Sequence, residues 1–415
     1  MTTLNLDREM IRERFDLRRR GGAEAKVYVD DPYPTFHALR EQGPVIEGVP
    51  HELLGFDGPA GFHGIPDPNR PHYSVFSFAE CDAVYRNEDL FRSAPPEMAA
   101  MLRDGGMGAS MLYMNGVEHR RYRSLVQPSF VPAKARWWIE NWINSTVNSL
   151  IDGFEADQHA ELNIDFDAAI PMLTIAGSFG LTVEEAMGLR GGGMSAEGRG
   201  LDDFVLPIIR ARREEPGDDL VSVLAHAEMT DEEGQTHRLS DDEITAFSTL
   251  LLAAGSGTTW KQMGITLIAL LTNPGVLDEI RADRSLLKPA IEESLRWEVT
   301  DPVFSRWVDD DTTLAGVDIP KDAVVHLVIG SASRDPERWD NPDVYDIHRP
   351  LKPHMGFASG PHVCLGMHVA RAELSTAIGV LIDRLPNLRL DPDAEQPKII
   401  GMYERGPSEI NVIWD

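Results

Sequence analysis

Positive charge is what this chain lacks most. Acidic residues outnumber basic ones by 67 to 39, giving a formal net charge of −28. Binding to nucleic acid rests on a basic footprint that neutralises phosphates, so DNA and RNA are excluded as general partners. Cysteine is scarce too, with only Cys81 and Cys364 in 415 residues. Two thiols cannot staple a chain of this size, and a reducing cytoplasm is the expected setting. No run of about 18 apolar residues occurs, so no membrane span is expected. The opening MTTLNLDREMIRERFDLRRR has no apolar core of the kind a signal peptide needs, and its interleaved Asp and Glu weaken a transit-peptide reading. No internal repeat, low-complexity block or linker stands out. The length suffices to bury a large core, as one big domain or two.

Helical signals dominate. A short helix is expected from Pro34 to about Gln42, closed by Gly43-Pro44. Val45 to Pro71 is rich in Gly and Pro and reads as loop with short extended pieces. Tyr73 to Phe76 reads as a strand, with Ser77 as the cap of the next helix. Met98 to Met114 carries five Met and reads as a mobile loop. Helices are expected at about Val117–Gln127, Ala133–Gly153 and Asp165–Phe179. The longest should run from Ser240 to about Thr272, opened by a Ser240/Glu243 capping box and stopped at Asn273-Pro274. Its interior reads Ala253-Ala-Gly-Ser-Gly-Thr-Thr259. Each glycine there costs about 1 kcal/mol relative to alanine, a cost that implies room or a bend. A further helix is expected at Leu287–Trp297, extended segments at Thr312–Ile319 and Ala323–Ile329, and a last long helix from Cys364 to near Arg384. Leu388 onward reads as strand and turn. The fold class is mainly α with minor β.

The most informative segment is Phe357-Ala-Ser-Gly-Pro-His-Val-Cys364-Leu-Gly366. A lone cysteine is ordinarily a small buried hydrophobe. Here Ser359, Gly360 and Pro361 make a tight turn, and the sequence after Cys364 has helical period. That puts the sulfur at a helix N-terminus, where free N–H groups and the dipole favour a thiolate. Gly360 and Gly366 leave space for a flat ligand. Zinc is disfavoured, because no second cysteine lies near and no C-x-x-C spacing occurs.

Phe357-x-x-Gly360-x-His362-x-Cys364-x-Gly366 resembles the haem-binding loop of the cytochrome P450 family. Four other stretches resemble family motifs in the right order: Glu118-His-Arg-Arg-Tyr-Arg123, Ala254-Gly-Ser-Gly-Thr-Thr259, Glu293-x-x-Arg296 and Arg334-Asp-Pro336. The resemblance implies one domain over residues 1–415, with about 1–25 as an N-terminal extension. It implies a helix-rich lobe and a small β-rich lobe enclosing haem b (iron protoporphyrin IX). Cys364 would be the metal ligand, its thiolate pushing electron density onto iron, as the handed-down chemistry of this family requires. Backbone N–H groups of Leu365, Gly366 and Met367 would point at the sulfur. His119, Arg123, Arg306 and His362 would meet the haem propionates, with Phe357 and Gly366 completing the cofactor site. His119 and Arg123 share a helical face, as that role needs, whereas Arg120 and Arg121 read as solvated surface. Glu293 and Arg296 would form a structural ion pair.

The resemblance also implies catalytic roles for Thr258, Gly257 and Ala254. A hydroxyl at Thr258 can hydrogen-bond dioxygen and hold the water that delivers protons; the competing reading is a threonine bonded back to its own helix. The chain departs from the family at Gly257, where Asp or Glu is usual, and waters in the vacated space, with Ser256, are the expected substitute. The region from Gly180 to Arg212 reads as a short, glycine-rich lid, and Val45 to His72 as an insertion.

The implied activity is a monooxygenase that puts one oxygen atom from O2 into a medium-sized hydrophobic molecule, by hydroxylation or O-dealkylation. Electrons would come from NAD(P)H through ferredoxin reductase and ferredoxin. Glu118 to Arg136, with five basic side chains against one acidic, is the expected ferredoxin patch. A peroxide-dependent peroxygenase and a haem protein that binds a ligand without turnover are the alternatives. Pocket walls are expected from Met98–Met114, Thr249–Ala254, Val299–Phe304 and the tail near Met402, mostly apolar and adaptable.

Overall fold

The computed structural model describes residues 6–15, 28, 30–57, 69–95, 110–189 and 200–415. Its axis is an unbroken 32-residue helix, Asp241–Thr272. The start is fixed locally: Ser240 Oγ accepts the Glu243 N–H at 3.2 Å, and Glu243 accepts the Ser240 N–H at 2.8 Å. This reciprocal cap satisfies two donors that a helix end leaves bare. Residues 244–248 and 262–270 of the long helix are buried, yet Ala253 and Ala254 in its middle are exposed. Gly255 admits the helix Ala169–Ser178, since a Cβ there would stand 2.7 Å from Ile175 Cδ1.

Around this axis pack the helices Leu201–Glu214, Leu287–Trp297 and Met367–Arg384. Their apolar faces join one large core that includes Phe247, Leu267, Leu295 and Leu381. Residues 6–15, within the expected extension, form the helix Arg8–Phe15. Ile11 and Phe15 are buried in the same core, and Arg8 and Arg12 both bond the buried Asp165.

The smaller lobe is a five-stranded sheet: β1 (Val45–Glu47), β2 (His72–Val75), β3 (Phe91–Arg92), β4 (Val303–Val308) and β5 (Val324–Val328). The spatial order is β1-β2-β5-β4-β3. Only β2 and β5 pair in parallel; the other three pairings are antiparallel. Every residue of β5 is buried, as a central strand covered on both faces requires. Downstream, the hairpin Ile399–Ile400 with Gly406–Pro407 lies against the long helix.

The mainly α architecture with minor β is therefore as expected, with local corrections. The helix expected at Ala133–Gly153 runs from Ala135 to Asp152 but widens to a π turn at Ile139–Ile143. Ser77 does stand at an N-cap, but its hydroxyl bonds Glu80, and Asp335 accepts the Phe78 N–H at 2.8 Å instead. The last long helix begins at Met367, not at Cys364. Of the expected mobile loop, 98–109 lies outside the described residues, while Met111 and Met114 are buried in the main core. The glycine-rich part of the expected lid, 190–199, also lies outside them; its flanks form the helices Val183–Leu189 and Leu201–Glu214. Part of the expected insertion, 58–68, lies outside them as well.

Candidate active site

The cysteine loop is held by its own backbone. Cys364 N–H donates to the Phe357 carbonyl at 2.9 Å, and Val363 N–H to that of Gly360 at 3.1 Å. Gly360 has φ +71°, and a Cβ on it would collide with the Tyr85 carbonyl oxygen at 2.3 Å. Only glycine fits there, and that contact pins the loop to the helix Phe78–Arg86.

Cys364 itself is exposed, yet it is enclosed deeply enough that burial pushes its thiol up from the ordinary value. Both hold for a group that faces an internal void. The Gly366 N–H, Arg123 and Arg371 oppose the shift. The sulfur thus precedes the helix Met367–Arg384 by three residues and receives backbone help from Gly366, its N-cap. The pair Ala253–Ala254 is exposed in the middle of the long helix, between its buried stretches.

Near the sulfur lies a set of donors, of which His362 has Glu88 Oε2 3.9 Å from its Nε2. His119 is 1% exposed, and neither ring nitrogen has a hydrogen-bond partner. Burial and the neighbouring Arg123 and Arg120 push it down to about 4. His362 stacks on it with ring centres 3.9 Å apart. Burial, then His119, Arg306 and Arg123, push His362 down to about 2, and its Nε2 meets Ser93 Oγ at 3.1 Å. Burial lowers both Arg123 and Arg306. Neither has a carboxylate within ion-pair distance among the described residues, and Arg306 reaches only the Ser305 carbonyl (2.8 Å) and the face of Tyr85. Buried cations are costly unless paired. Arg123 and Arg306 are such cations, and with the two neutral imidazoles beside them they suit a bound dianion.

Arg120 and Arg121, read from sequence as surface, pair with Glu88 at 3.1 Å and Glu243 at 2.9 Å. Phe357 packs under Arg371, whose guanidinium lies 4.6 Å from the ring centre. Thr258 Oγ1 donates to the Ala254 carbonyl at 2.7 Å, so its proton points back along its own helix while the oxygen's acceptor capacity stays available. Ser256 does the same toward Leu252 at 2.6 Å.

The space beside Gly257 is not vacant. A Cβ there would lie 3.2 Å from Glu404 Oε1. Part of the space expected to hold waters is taken by a carboxylate from the tail hairpin. Glu404 is also ion-paired with Lys261. Asp301 adds a second interior carboxyl, pushed up to about 7 by burial and by Glu404, against Lys261. Sequence reasoning missed Glu404, Asp301 and Tyr85, because nothing local to them marks the pairing.

A family model described as Cytochrome P450 matches residues 194–403, half of the chain. The chain belongs to the cytochrome P450 family. It is 31% identical over 379 residues to putative cytochrome P450 126 of Mycobacterium tuberculosis, covering 84% of this chain and 91% of that one. It is 33% identical over 318 residues to pentalenic acid synthase of Streptomyces avermitilis, covering 74% and 78%. Among solved structures, CYP109E1 from Bacillus megaterium in complex with testosterone superposes with a TM-score of 0.77 at 27% identity, over 93% of this chain and 100% of that one.

As a cytochrome P450, the protein is a haem-dependent oxidoreductase that acts on small molecules with O2 and redox partners. The exposed Cys364 sulfur, with Arg123 and Arg306 lacking a carboxylate partner among the described residues, suits haem b. Among the described residues, no single helix is long and apolar enough to cross a membrane.

Proposed function

We propose that this cytochrome P450 hydroxylates or O-dealkylates a medium-sized hydrophobic molecule in the cytoplasm, with electrons from NAD(P)H through ferredoxin reductase and ferredoxin. The observation that carries the reading is the exposed Cys364 sulfur, near a cluster of His119, His362, Arg123 and Arg306 whose two arginines have no carboxylate within ion-pair distance among the described residues. Cys364 would hold the haem iron. His119, Arg123, Arg306 and His362 would hold the propionates, and Phe357 and Gly366 would bound the sulfur side. Bound there, haem supplies the activation of O2. The protein's own residues do the rest: they orient the substrate, exclude water and move protons.

On the opposite side, Ala254 leaves room for a small molecule. Thr258 can turn its hydroxyl from the Ala254 carbonyl toward that room and pass a proton there. The substrate walls are Thr249 to Ala254, Val299 to Phe304 and Met402. Val299, Val303 and Met402 are buried, which favours an apolar ligand.

The electron donor is argued from surface charge. Arg120 and Arg136 are 62% and 86% exposed, though paired with Glu88 and Glu140. Exposed pairs of this kind are weak and readily exchanged for a partner's carboxylates. Turnover with ferredoxin should fall steeply with added salt. Retention of Thr258 and of the basic patch favours this reading over a peroxygenase, which the missing acid at Gly257 would otherwise suit.

The deciding experiment is the reduced, carbonyl-bound absorption spectrum of purified protein. A thiolate-type band that disappears in Cys364→His is expected; protein without haem, or an unchanged band, would overturn the reading. Testosterone and a C16 fatty acid are suitable first probes of Soret shift. Absence of any NAD(P)H consumption with ferredoxin and such ligands would favour a non-catalytic haem protein.

A further inference from the structure

Three positions on one face of the long helix face the tail segment 404–407. Gly257, Lys261 and Gly264 are spaced by four and three residues, so they lie on one line along the helix. A Cβ on Gly264 would stand 2.4 Å from Pro407 Cγ, and one on Gly406 would stand 2.7 Å from Lys261 Cγ. The two helix glycines let the hairpin approach closely. That approach delivers Glu404 to the Gly257 position, where a Cβ would be 3.2 Å from its carboxylate.

The tail does not hang there loosely. Arg405 Nε donates to Glu298 at 2.7 Å, both side chains being 3% exposed. The Arg405 N–H donates to the Thr300 carbonyl at 2.6 Å, and Thr300 Oγ1 to the Arg405 carbonyl at 2.8 Å. These bonds fix the backbone on the C-terminal side of Glu404. The Glu404 and Lys261 side chains keep 22% and 25% of their surface accessible, so this ion pair can exchange protons with water.

We propose that Glu404, held by the tail hairpin against Gly257, is the acid that feeds protons to Thr258 in this protein. It acts as a positioning and relay residue, not one that touches substrate. A proton on the Glu404 carboxyl passes through water to the Thr258 oxygen as the Thr258 hydroxyl releases its own proton into the pocket, and the carboxylate is reprotonated from water beside Lys261. No electrons move in this step. The inference rests on the proton-delivering role proposed for Thr258. Asp301, which feels the charges of both Glu404 and Lys261, is the nearest interior reporter of the pair. The other titratable groups in its field are Cys364 and Tyr85.

The test uses the full-length haem enzyme and cumene hydroperoxide, which needs neither a known substrate nor a redox partner. Heterolysis of its O–O bond yields 2-phenyl-2-propanol and needs a proton on the departing oxygen; homolysis leads to acetophenone. Glu404→Gln keeps the shape and a bond to Lys261 but not the acid. The alcohol-to-ketone ratio should fall about tenfold or more in Glu404→Gln and in Thr258→Ala, in line with the worth of general acid catalysis. The double variant Glu404→Ala/Gly257→Asp, which returns an acid to the helix, should recover most of it.

A second readout is independent of turnover. The infrared carboxyl band of Asp301, assigned by its loss in Asp301→Asn, should titrate at lower pH in Glu404→Gln than in the parent protein. A parent-like product ratio in Glu404→Gln with a fall in Thr258→Ala overturns the role of Glu404 and leaves that of Thr258. Parent-like ratios in both overturn both. A fall in Glu404→Gln that the double variant does not recover, with Asp301 titrating as before, marks Glu404 as structural only and overturns the proposal.

Discussion

Glu293 and Arg296 meet on the helix Leu287–Trp297 through two hydrogen bonds, Nε to Oε2 at 2.8 Å and Nη2 to Oε1 at 2.7 Å. Their side chains are 5% and 2% exposed. Arg349 Nε and the Asp346 N–H also donate to Glu293 Oε1, at 2.9 and 3.1 Å. Arg296 Nη1 donates to the Ser333 and Pro342 carbonyls, at 3.0 and 2.7 Å. The pair therefore ties the helix to the segment that leads into the cysteine loop. Removing one partner strands a buried charge, which costs about 3–5 kcal/mol. Glu293→Leu, which leaves Arg296 without its carboxylate, should lose that much in urea unfolding and lower the yield of soluble, haem-loaded protein; Arg296→Leu, which leaves Glu293 paired with Arg349, should lose less. A loss below about 1 kcal/mol would deny the pair its structural role.

Gly360→Ala should separate loop geometry from cysteine chemistry. A side chain there meets the Tyr85 carbonyl and a backbone at φ +71°. Positive φ alone costs about 1–2 kcal/mol in an L-residue. The variant should bind less haem per protein, read as Soret absorbance per chain, with Cys364 unchanged. Full haem content would show that the contact yields easily.

Arg306→Leu should weaken haem retention without harming the haem-free fold. Its guanidinium is buried without a carboxylate partner among the described residues. Losing one charge-assisted bond to a propionate is worth about 1.5–3 kcal/mol, or roughly tenfold or more in affinity. Haem transfer to apomyoglobin should therefore accelerate by about that factor. The haem-free variant should melt no lower than its parent, because an uncompensated buried charge is gone. An unchanged transfer rate would remove Arg306 from the propionate site.

Acid stability should depend on Glu292. Its carboxylate bonds Arg371 at 2.6 and 2.8 Å and His354 at 3.2 Å. These partners outweigh burial, the largest opposing influence, and bring it from 4.5 down to about 2. A depressed carboxyl adds stability that is full above the unfolded value and is lost as pH falls toward the folded one. Between pH of about 4.5 and 2 the protein should therefore lose this contribution. Glu292→Gln should be less stable than the parent near neutrality and show a shallower decline across that window. Parallel acid limbs for the two proteins would contradict this.

What the sequence reveals depends on how local the cause is. The Ser240 cap and the helix Leu287–Trp297 are legible because their determinants sit within a few residues. Cys364, His119 and Arg123 stand in stretches that resemble family motifs, and Arg306 is implied by the resemblance alone; the structure brings His119, Arg123, Arg306 and His362 together. The exchange of Ser77 for Asp335 as the cap of Phe78 is a tertiary event that the local pattern cannot announce. The same holds for Gly257: its missing side chain is visible in the sequence, but the carboxylate that fills the place comes from the distant residue 404. The π turn at Ile139–Ile143 leaves the apolar spacing nearly unchanged and so escapes a reading by periodicity.

The parallel pairing of β2 with β5 joins residues about 250 positions apart, Val324 opposite His72. Closing so long a loop is entropically expensive before any contact rewards it, and non-local strand pairs slow folding. During synthesis on the ribosome, β2 emerges long before its neighbour exists and leaves an open edge prone to wrong partners. Helix pairs close in sequence, such as Leu201–Glu214 with Leu220–His226, can gather first. Slow translation in cool cultures should therefore raise the soluble yield, and rapid expression should send this chain into inclusion bodies.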